Sequence, residues 1–546
     1  MLTHVQRSGR RMHPWLLSVT VGVVSIALLA GCGGSGSGSG SDHKIETGRW
    51  GGVINPGGTP VRGGTLTIDQ ADIPTGISSL YYVNSATNQV GQVVEQLYDQ
   101  LLEYSPGSFT PQPGLAKTWQ VSSDDRTYTF HLRHAEFSNG MPVTAQDVKY
   151  SLDYTNNPQS GYTSLYGTIS SIDTPDASTV IVHLSKSTPA FLYYVAYIAA
   201  SIVPAKLIQS EGVKAYNAHP IGSGPFVVQS WTRGQGVVLV RNPHYWRTGL
   251  PYLNTVKLDF TPNDNTRILD IEGGTVNVAD YPLFSQVKTI NAGGKAKVLI
   301  APGADMYVVY LNNSKKPLNE TAVRQALCYA TPVNAIIHAI FSGLAPRMNT
   351  IIPKLKYWTA AAKAYPFNIA KAKQVLATSS VPHGFNAKIE VVSTGDQATL
   401  LTAQILQAAW AKIGVNLTIA PVDAATQGTD FTSGTFEMTL FTPGAFTSDV
   451  VVDDEFATLL FNSPPTHNLY TWYHNPALAA LVQKAVSTTN ESQRVQLFKQ
   501  MHIDSMKDPS VVPLVYTPNR AAVANNVHNF SYMLGGLWPL DSVWIG

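Results

Sequence analysis

The chain has 546 residues, of which 44% are hydrophobic and 13% are charged, and its formal net charge at pH 7 is +2. This length exceeds what one hydrophobic core normally fills, so two or more domains are expected. A nearly neutral chain without a basic run cannot neutralise several phosphates, which argues against a nucleic-acid partner. Two cysteines, Cys32 and Cys328, are too few for a disulfide framework.

Residues 1–31 have the pattern of a secretory signal. Three arginines near the start form a positive region, and an apolar stretch follows over residues 15–30. This stretch is shorter than the roughly 20 apolar residues that a membrane-spanning helix needs. Small residues then precede Cys32 and predict a cleavage site, with the motif LAGC.

The LAGC motif resembles the lipobox of bacterial lipoproteins. This resemblance implies that Cys32 becomes the mature N-terminus and carries a diacylglycerol, whose two acyl chains anchor a protein durably. An ordinary cleaved signal with an incidental cysteine is the alternative. Residues 32–61 begin with a Gly/Ser repeat and are predicted to form a flexible linker.

The folded part of the chain opens with clear secondary-structure patterns. Residues 63–68 (GGTLTI) predict a strand after a glycine pair, and apolar residues at helical spacing predict a helix over residues 87–103. Alternation over residues 127–133 predicts a half-buried strand. Thr144 followed by Asp147 predicts a capping-box start of a helix.

Two further helices are predicted near the end of the chain. The first covers residues 396–413 and stops at Gly414, as a C-terminal cap glycine should. The second covers residues 491–507, where apolar residues recur at core spacing.

The most organised segment is residues 113–153, with the sequence PGLAKTWQVSSDDRTYTFHLRHAEFSNGMPVTAQDVKYSLD. It resembles the signature of the family 5 extracellular solute-binding proteins, the oligopeptide, dipeptide and nickel receptors of bacterial ABC importers. Later blocks resemble the family in the same order, from residue 62 to the C-terminus: PIGSGPF (220–226), RNPHYW (241–246), IEGGTVNV (271–278) and YLNNSKKPLNETAVRQALCYA (310–330). In the first of these blocks, Gly222 and Gly224 are predicted to serve tight backbone geometry.

The resemblance implies an α/β fold of the type II periplasmic-binding-protein kind, with mixed sheets, flanking helices and a hinged cleft between two lobes. The chain of such proteins crosses between the lobes twice. We therefore expect the following division: residues 62–90, 204–304 and 512–546 in lobe I, residues 91–203 as its appended subdomain, and residues 305–511 in lobe II.

The resemblance also implies a function: a lipid-anchored receptor on the extracytoplasmic face of the bacterial membrane that captures short peptides. It would work as a monomer with an ABC permease and its ATPase. Within the same fold, the ligand could instead be a nickel chelate, an oligosaccharide, an opine or another small polar solute. A secreted hydrolase or a peptide-sensing signalling protein is the alternative from another class.

Peptide-binding members hold the terminal ammonium of the ligand with an acidic residue that follows an aromatic in a "W..DY" element. Residues 446–456 (FTSDVVVDDEF) have this spacing, with Phe446 as the aromatic, and make Asp449 the candidate. A solvated loop acid is the alternative, because valines replace the usual residues and the alignment needs a three-residue insertion. Other ligand-binding candidates lie where family members contact ligand, or in the last crossover: Tyr81, Asn84, Ser85, Thr87 and Tyr516.

No enzymatic motif stands beside these candidates. The sequence contains no P-loop, no HExxH, no CxxC and no GxSxG nucleophile elbow. His131 and His134 are three residues apart in a strand pattern, so their side chains point to opposite faces and cannot share a metal. The chain is therefore predicted to be a binding protein without catalytic residues, metal or cofactor.

Overall fold

The computed structural model describes residues 53–71, 74–84, 88–106, 108, 110–392, 397–441, 453–462 and 471–546. The predicted signal, Cys32 and most of the predicted linker lie outside this part of the chain. Among the described residues, no helix combines the length and the apolar character that crossing a bilayer requires.

The strands of the described residues are short except for two that exceed ten residues. In chain order they are β1 (Val53–Ile54), β2 (Thr65–Gln70), β3 (Leu102–Glu103), β4 (Gln112–Pro113), β5 (Ala116–Val121), β6 (Thr127–Leu132), β7 (Ile169–Asp173), β8 (Thr179–Leu184), β9 (Phe226–Thr232), β10 (Gly236–Arg241), β11 (Thr255–Phe260), β12 (Val278–Asp280), β13 (Ala296–Leu311), β14 (Asn386–Val392), β15 (Asn416–Val422), β16 (Met438–Thr439), β17 (Val511–Ala524), β18 (Val527–His528), β19 (Phe530–Ser531) and β20 (Trp544–Ile545).

Helices flank these strands. The α-helices are α1 (Ser79–Tyr82), α2 (Asn88–Leu97), α3 (Ala145–Thr155), α4 (Thr163–Tyr166), α5 (Phe191–Tyr194), α6 (Ala205–Glu211), α7 (Val213–Ala218), α8 (Asp264–Gly273), α9 (Val287–Gly293), α10 (Thr321–Ala330), α11 (Val333–Phe341), α12 (Ile369–Leu376), α13 (Gln397–Trp410), α14 (Ala424–Ser433), α15 (Asp453–Ala457), α16 (Pro476–Ser487) and α17 (Glu491–Lys507). Short 3₁₀ helices lie at Ile198–Ala200, Phe284–Gln286, Ala411–Ile413, Leu534–Gly536 and Leu540–Ser542, and a π-helix lies at Thr458–Asn462.

Local sequence signals account for several of these boundaries. The predicted capping box is confirmed at α3, where Thr144 and Asp147 exchange side-chain and backbone contacts. Helix α17 has the predicted bounds. After α13, a 3₁₀ turn ends at Gly414, whose φ of 83° places it in the left-handed region that glycine tolerates.

Helix α2 is shorter than predicted, because it ends at Leu97 and the chain forms β3 five residues later. The turn at residues 220–226 explains the difference. The backbone N–H of Gly224 donates to the carbonyl oxygen of Leu97 at 2.9 Å, so this oxygen is not available to continue the helix. A Cβ on Gly222 would lie 1.9 Å from the same oxygen, which confirms that this glycine serves close backbone geometry.

A ten-stranded sheet organises the molecule, in the order β15-β14-β16-β13-β17-β12-β2-β11-β10-β9. Its central pair, β13 and β17, is antiparallel and runs from Ala296 opposite Ala524 to Tyr310 opposite Val511. The pairing register slips between Ala301 and Asp305. Strands β12, β2, β11, β10 and β9 lie on one side of the central pair, and β16, β14 and β15 lie on the other.

The two sides of the sheet have separate apolar cores. The first core is built mainly from residues 54–260, with contributions from the end of the chain. The second core is built from residues 284–516. A smaller cluster packs α8 and α9 against the sheet. A separate four-stranded antiparallel sheet, β5-β6-β8-β7, belongs to the first core.

Candidate functional site

On both sides of the central pair, the neighbouring strands run towards the register slip between Ala301 and Asp305, so their carboxyl ends lie beside it. On the first side, β12 is antiparallel to β17 and parallel to β2, so both run towards the register slip. On the second side, β16 is antiparallel to β13 and parallel to β14, so these also run towards the slip. Ligands of open α/β sheets bind outside the carboxyl ends of the strands. The candidate site therefore lies at this slip, between the two halves.

The chain leaves β2 into the segment that contains four predicted ligand contacts. The Tyr81 side chain is half-buried and packs against the first core. Asn84 is exposed, and its Nδ2 donates to the carbonyl oxygen of Leu80 at 2.9 Å and to the hydroxyl of Tyr154 at 3.1 Å. Ser85 and Thr87 lie outside the described residues.

Tyr516 lies in β17, beside the slip, and is 5% exposed. Its hydroxyl lies 2.8 Å from the Thr350 Oγ1 and 3.4 Å from the Asn349 Oδ1. Burial raises the pKa of this phenol. The Tyr516 hydroxyl thus connects the loop at residues 349–350 to the central strand β17.

Phe446 and Asp449 also lie outside the described residues. The described chain resumes at α15, which opens with two buried carboxylates that sequence reasoning did not single out. Asp453 Oδ2 accepts a hydrogen bond from the backbone N–H of Tyr357 at 3.1 Å. Asp454 forms an ion pair with Arg494 of α17. Burial raises the pKa of Asp454 to about 6, although the guanidinium opposes this.

Several buried polar groups lie at the carboxyl edge without a hydrogen-bond partner in the described part of the chain. Gln70, the last residue of β2, has neither of its side-chain amide atoms paired and is 0% exposed. The Thr517 Oγ1 and the Arg520 Nη1 are also unpaired, and these two residues flank the slip in β17. A buried polar group without a partner costs about 1–3 kcal/mol. Water or a polar solute would supply the missing partners.

Arg520 is the cation of this group. Its Nε donates to the carbonyl oxygen of Pro282 at 2.6 Å, and its guanidinium lies 4.0 Å from the ring centroid of Phe284. Burial lowers the pKa of Arg520 from its usual value. The segment that follows β12 therefore fixes this side chain beside the slip.

Comparison with known proteins shows which proteins this chain resembles. The chain is 27% identical to the dipeptide-binding protein of Escherichia coli K12 over 474 residues, which cover 81% of this chain and 87% of that one. It is 25% identical to heme-binding protein A of Haemophilus influenzae over 495 residues, 85% of this chain and 89% of that one. The structure of the binding protein AgaA from A. tumefacien R10, in complex with agropinic acid, is 26% identical. It superposes with a TM-score of 0.75 over 88% of this chain and 99% of that chain.

These likenesses confirm the predicted α/β fold of the type II periplasmic-binding-protein kind. Family members act outside the cytoplasm, bind peptides and small solutes, and work with ABC transporters. The model of the bacterial extracellular solute-binding proteins, family 5, matches residues 110–468. The chain therefore belongs to the family 5 bacterial extracellular solute-binding proteins, which are solute receptors and not enzymes.

Proposed function

We propose that this protein captures short peptides at the register slip between the two halves of its central sheet and delivers them to an ABC permease and its ATPase. The similarity to the dipeptide-binding protein of Escherichia coli, which extends over 81% of this chain, carries the proposal. The unpaired buried polar groups at the carboxyl edge support a polar ligand.

Two lobes would close over the ligand. The sequence predicts residues 62–90, 204–304 and 512–546 in lobe I, residues 91–203 in its subdomain and residues 305–511 in lobe II. The slip between Ala301 and Asp305 supports the first crossing, and the two separate cores support the division. Since Thr517 still pairs opposite Asp305, we propose that the return crossing lies just after Thr517, later than the sequence indicates.

Closure strengthens the interactions between such a site and its ligand. As the lobes close, water leaves the cleft, and each fixed donor, acceptor or charge interacts more strongly in the lower dielectric. The ligand shifts the population towards the closed form, because it makes more contacts with that form than with the open one. Main-chain hydrogen bonds to the peptide would give affinity that tolerates different side chains. Asp449 would receive the terminal ammonium, and Phe446, Tyr81, Asn84, Ser85, Thr87 and Tyr516 remain the other proposed contacts.

We further propose that a diacylglycerol on Cys32 anchors the protein, as a monomer, on the extracytoplasmic face of the membrane. The LAGC motif and the Gly/Ser repeat behind it support this anchor. A flexible linker there would let the folded part reach the permease while the N-terminus stays in the lipid.

A small non-peptide solute is the second candidate ligand. The observation in its favour is the 26% identity to a binding protein whose structure contains agropinic acid, over 88% of this chain. An opine of that kind, a nickel chelate or an oligosaccharide would use the same cleft and the same closure.

Isothermal titration with a mixture of di- to pentapeptides tests the proposal. We expect heat release and a rise in melting temperature, since a ligand that binds only the folded state stabilises it. The matched control is the same mixture with acetylated N-termini, which should give neither effect. No response to free peptides, together with an opine, chelate or oligosaccharide identified by mass spectrometry in the purified protein, would favour the second candidate.

A further inference from the structure

We propose that Lys356 is a positioning residue that fastens the closed form, through a hydrogen bond from its ammonium to the hydroxyl of Tyr193 in the opposite core. This inference rests on the proposed closure of two lobes, and it names the contact that sets how firmly they close.

The contact joins residues that are far apart in the chain and pack on different cores. Lys356 Nζ donates to the Tyr193 hydroxyl at 2.8 Å, across a separation of 163 residues. The same ammonium lies 5.3 Å from the centroid of the Tyr193 ring. Tyr193 packs against the first core, whereas Tyr357, the neighbour of Lys356, belongs to the second. The hydrogen bond therefore bridges the two halves.

The second core holds the ammonium in place. Glu491 Oε1, at the start of α17, lies 2.8 Å from Lys356 Nζ, and the hydroxyl of Tyr357 donates to Glu491 Oε2 at 3.1 Å. The Tyr357 ring stacks on Phe498 with a centroid distance of 4.7 Å. Although partial burial opposes it, hydrogen bonding to Glu491 and Tyr193 raises the pKa of Lys356. Lys356 is thus a fixed cation at neutral pH.

The first core holds the acceptor in place. Tyr193 lies in α5, and its carbonyl oxygen accepts a hydrogen bond from the hydroxyl of Tyr104 at 2.9 Å. This hydrogen bond holds the backbone of α5 that carries the Tyr193 side chain, and Glu491 holds the Lys356 ammonium, so less side-chain entropy is lost when the two residues pair.

The loop that carries Lys356 is also tied to α15. The backbone N–H of Tyr357 donates to the Asp453 carboxylate, and Arg494, one turn after Glu491 in α17, pairs with Asp454. The position of the loop that carries Lys356 is therefore coupled to that of α15 through buried side chains.

Hydrogen exchange of the full chain, followed by mass spectrometry, tests this role with Lys356→Met and Tyr193→Phe. If the contact bridges the cores, each variant affects the opposite core. We expect Lys356→Met to speed exchange at residues 190–196, and Tyr193→Phe to speed it at residues 353–358, by at least about twofold. A residue that only stabilised its own loop would leave exchange in the opposite core unchanged, and that result would overturn the proposal.

Lys354→Met is the matched control. Lys354 lies in the same loop, and its ammonium is 4.5 Å from the ring centroid of Trp358, which belongs to that loop as well. We expect this variant to leave exchange at residues 190–196 unchanged. An equal effect of both lysine variants there would also contradict the proposal.

The same variants separate this inference from the proposed ligand. With the di- to pentapeptide mixture, we expect Lys356→Met and Tyr193→Phe each to weaken binding about fivefold. Each variant loses one hydrogen bond that stabilises the closed form, and the free energy of one hydrogen bond corresponds to a change in affinity of about this size. If each variant speeds hydrogen exchange in the opposite core but the protein binds no peptide, the contact is supported and the peptide proposal is rejected. If the protein binds peptides but both variants leave exchange in the opposite core unchanged, the peptide proposal is supported and the contact is rejected.

Discussion

Asp454 and Arg494 form an ion pair inside the second core, with side chains that are 5% and 3% exposed. The pair joins the start of α15 to α17 across 40 residues of sequence. The guanidinium also lies 5.6 Å from the ring centroid of Tyr357 and 5.7 Å from that of Phe498. Its charge is thus buried beside the Asp454 carboxylate and two aromatic rings.

We expect Asp454→Ala to destabilise the protein by about 3–5 kcal/mol, because it leaves the Arg494 charge buried without its partner. Urea unfolding measures the loss. Asp504→Ala is the control: Asp504 pairs with Lys507 on the surface, where the two side chains are 34% and 68% exposed. That pair should contribute less than about 1 kcal/mol. Equal losses in the two variants would show that the Asp454 pair is not enclosed in solution.

The second prediction concerns the pH dependence of stability and depends on Asp99. Burial raises the pKa of this carboxyl to about 7, although Ser223 donates to it at 2.8 Å and Arg247 lies nearby. In the unfolded chain an aspartate has a pKa of about 3.9. The folded state therefore binds the proton more tightly, and the stabilisation that this gives is present at low pH and is lost as the pH rises towards 7.

Asp99→Asn removes this titration while keeping an oxygen that accepts from Ser223. We expect the wild-type protein to lose up to about 4 kcal/mol of stability between pH 4 and pH 7 from this group, and the variant to lose correspondingly less. Melting temperatures of both proteins at pH 5 and pH 8 give the comparison. The same pH dependence in the variant would contradict the raised pKa.

The third prediction concerns Gly222. We expect Gly222→Ala to destabilise the protein by about 2 kcal/mol or more, because its Cβ would overlap the carbonyl oxygen of Leu97 at the end of α2. Gly273→Ala, in α8, is the control, since nothing lies within 4 Å of the Cβ that it adds. The control should be neutral or slightly stabilising. Urea unfolding that ranks the two variants equally would exclude this close approach.

Motifs that act over a few residues could be predicted from the sequence. The capping box at Thr144 and Asp147, the bounds of α17 and the role of Gly222 follow from local geometry, and the structure confirms them. The early end of α2 could not be predicted, because it depends on a turn more than a hundred residues later.

Long-range pairing of polar side chains also escaped prediction. Asp453 and Asp454 are adjacent acids, a pattern that normally indicates a solvated loop, and only the fold brings Arg494 and the Tyr357 backbone to them. The contact between Tyr193 and Lys356 has no signal in the sequence for the same reason. The unpaired amide of Gln70 becomes visible only when its strand is seen to end beside the slip.

The fourth prediction concerns Cys32. If it carries two acyl chains, each worth about 0.8 kcal/mol per buried methylene, the protein should partition into the detergent phase after Triton X-114 separation. Cys32→Ala should move it to the aqueous phase or leave it unprocessed. Cys328→Ala is the control, because this thiol is 2% exposed inside the second core and is not accessible to a lipid-transferring enzyme. An aqueous wild-type protein would favour an ordinary cleaved signal.

The last prediction concerns Asp449 as the partner of the peptide ammonium. Loss of a hydrogen bond between charged groups in a closed cleft should weaken binding of free-amine peptides about 10- to 100-fold in Asp449→Ala. N-acetylated peptides carry no charge at that end, so their affinity should be equally low in the wild type and the variant. Asp504→Ala, which removes a carboxylate from the surface of α17, should bind like the wild type. If Asp449→Ala keeps the wild-type affinity for free-amine peptides, Asp449 is a solvated loop acid, and the ammonium must be held by a group elsewhere at the carboxyl edge.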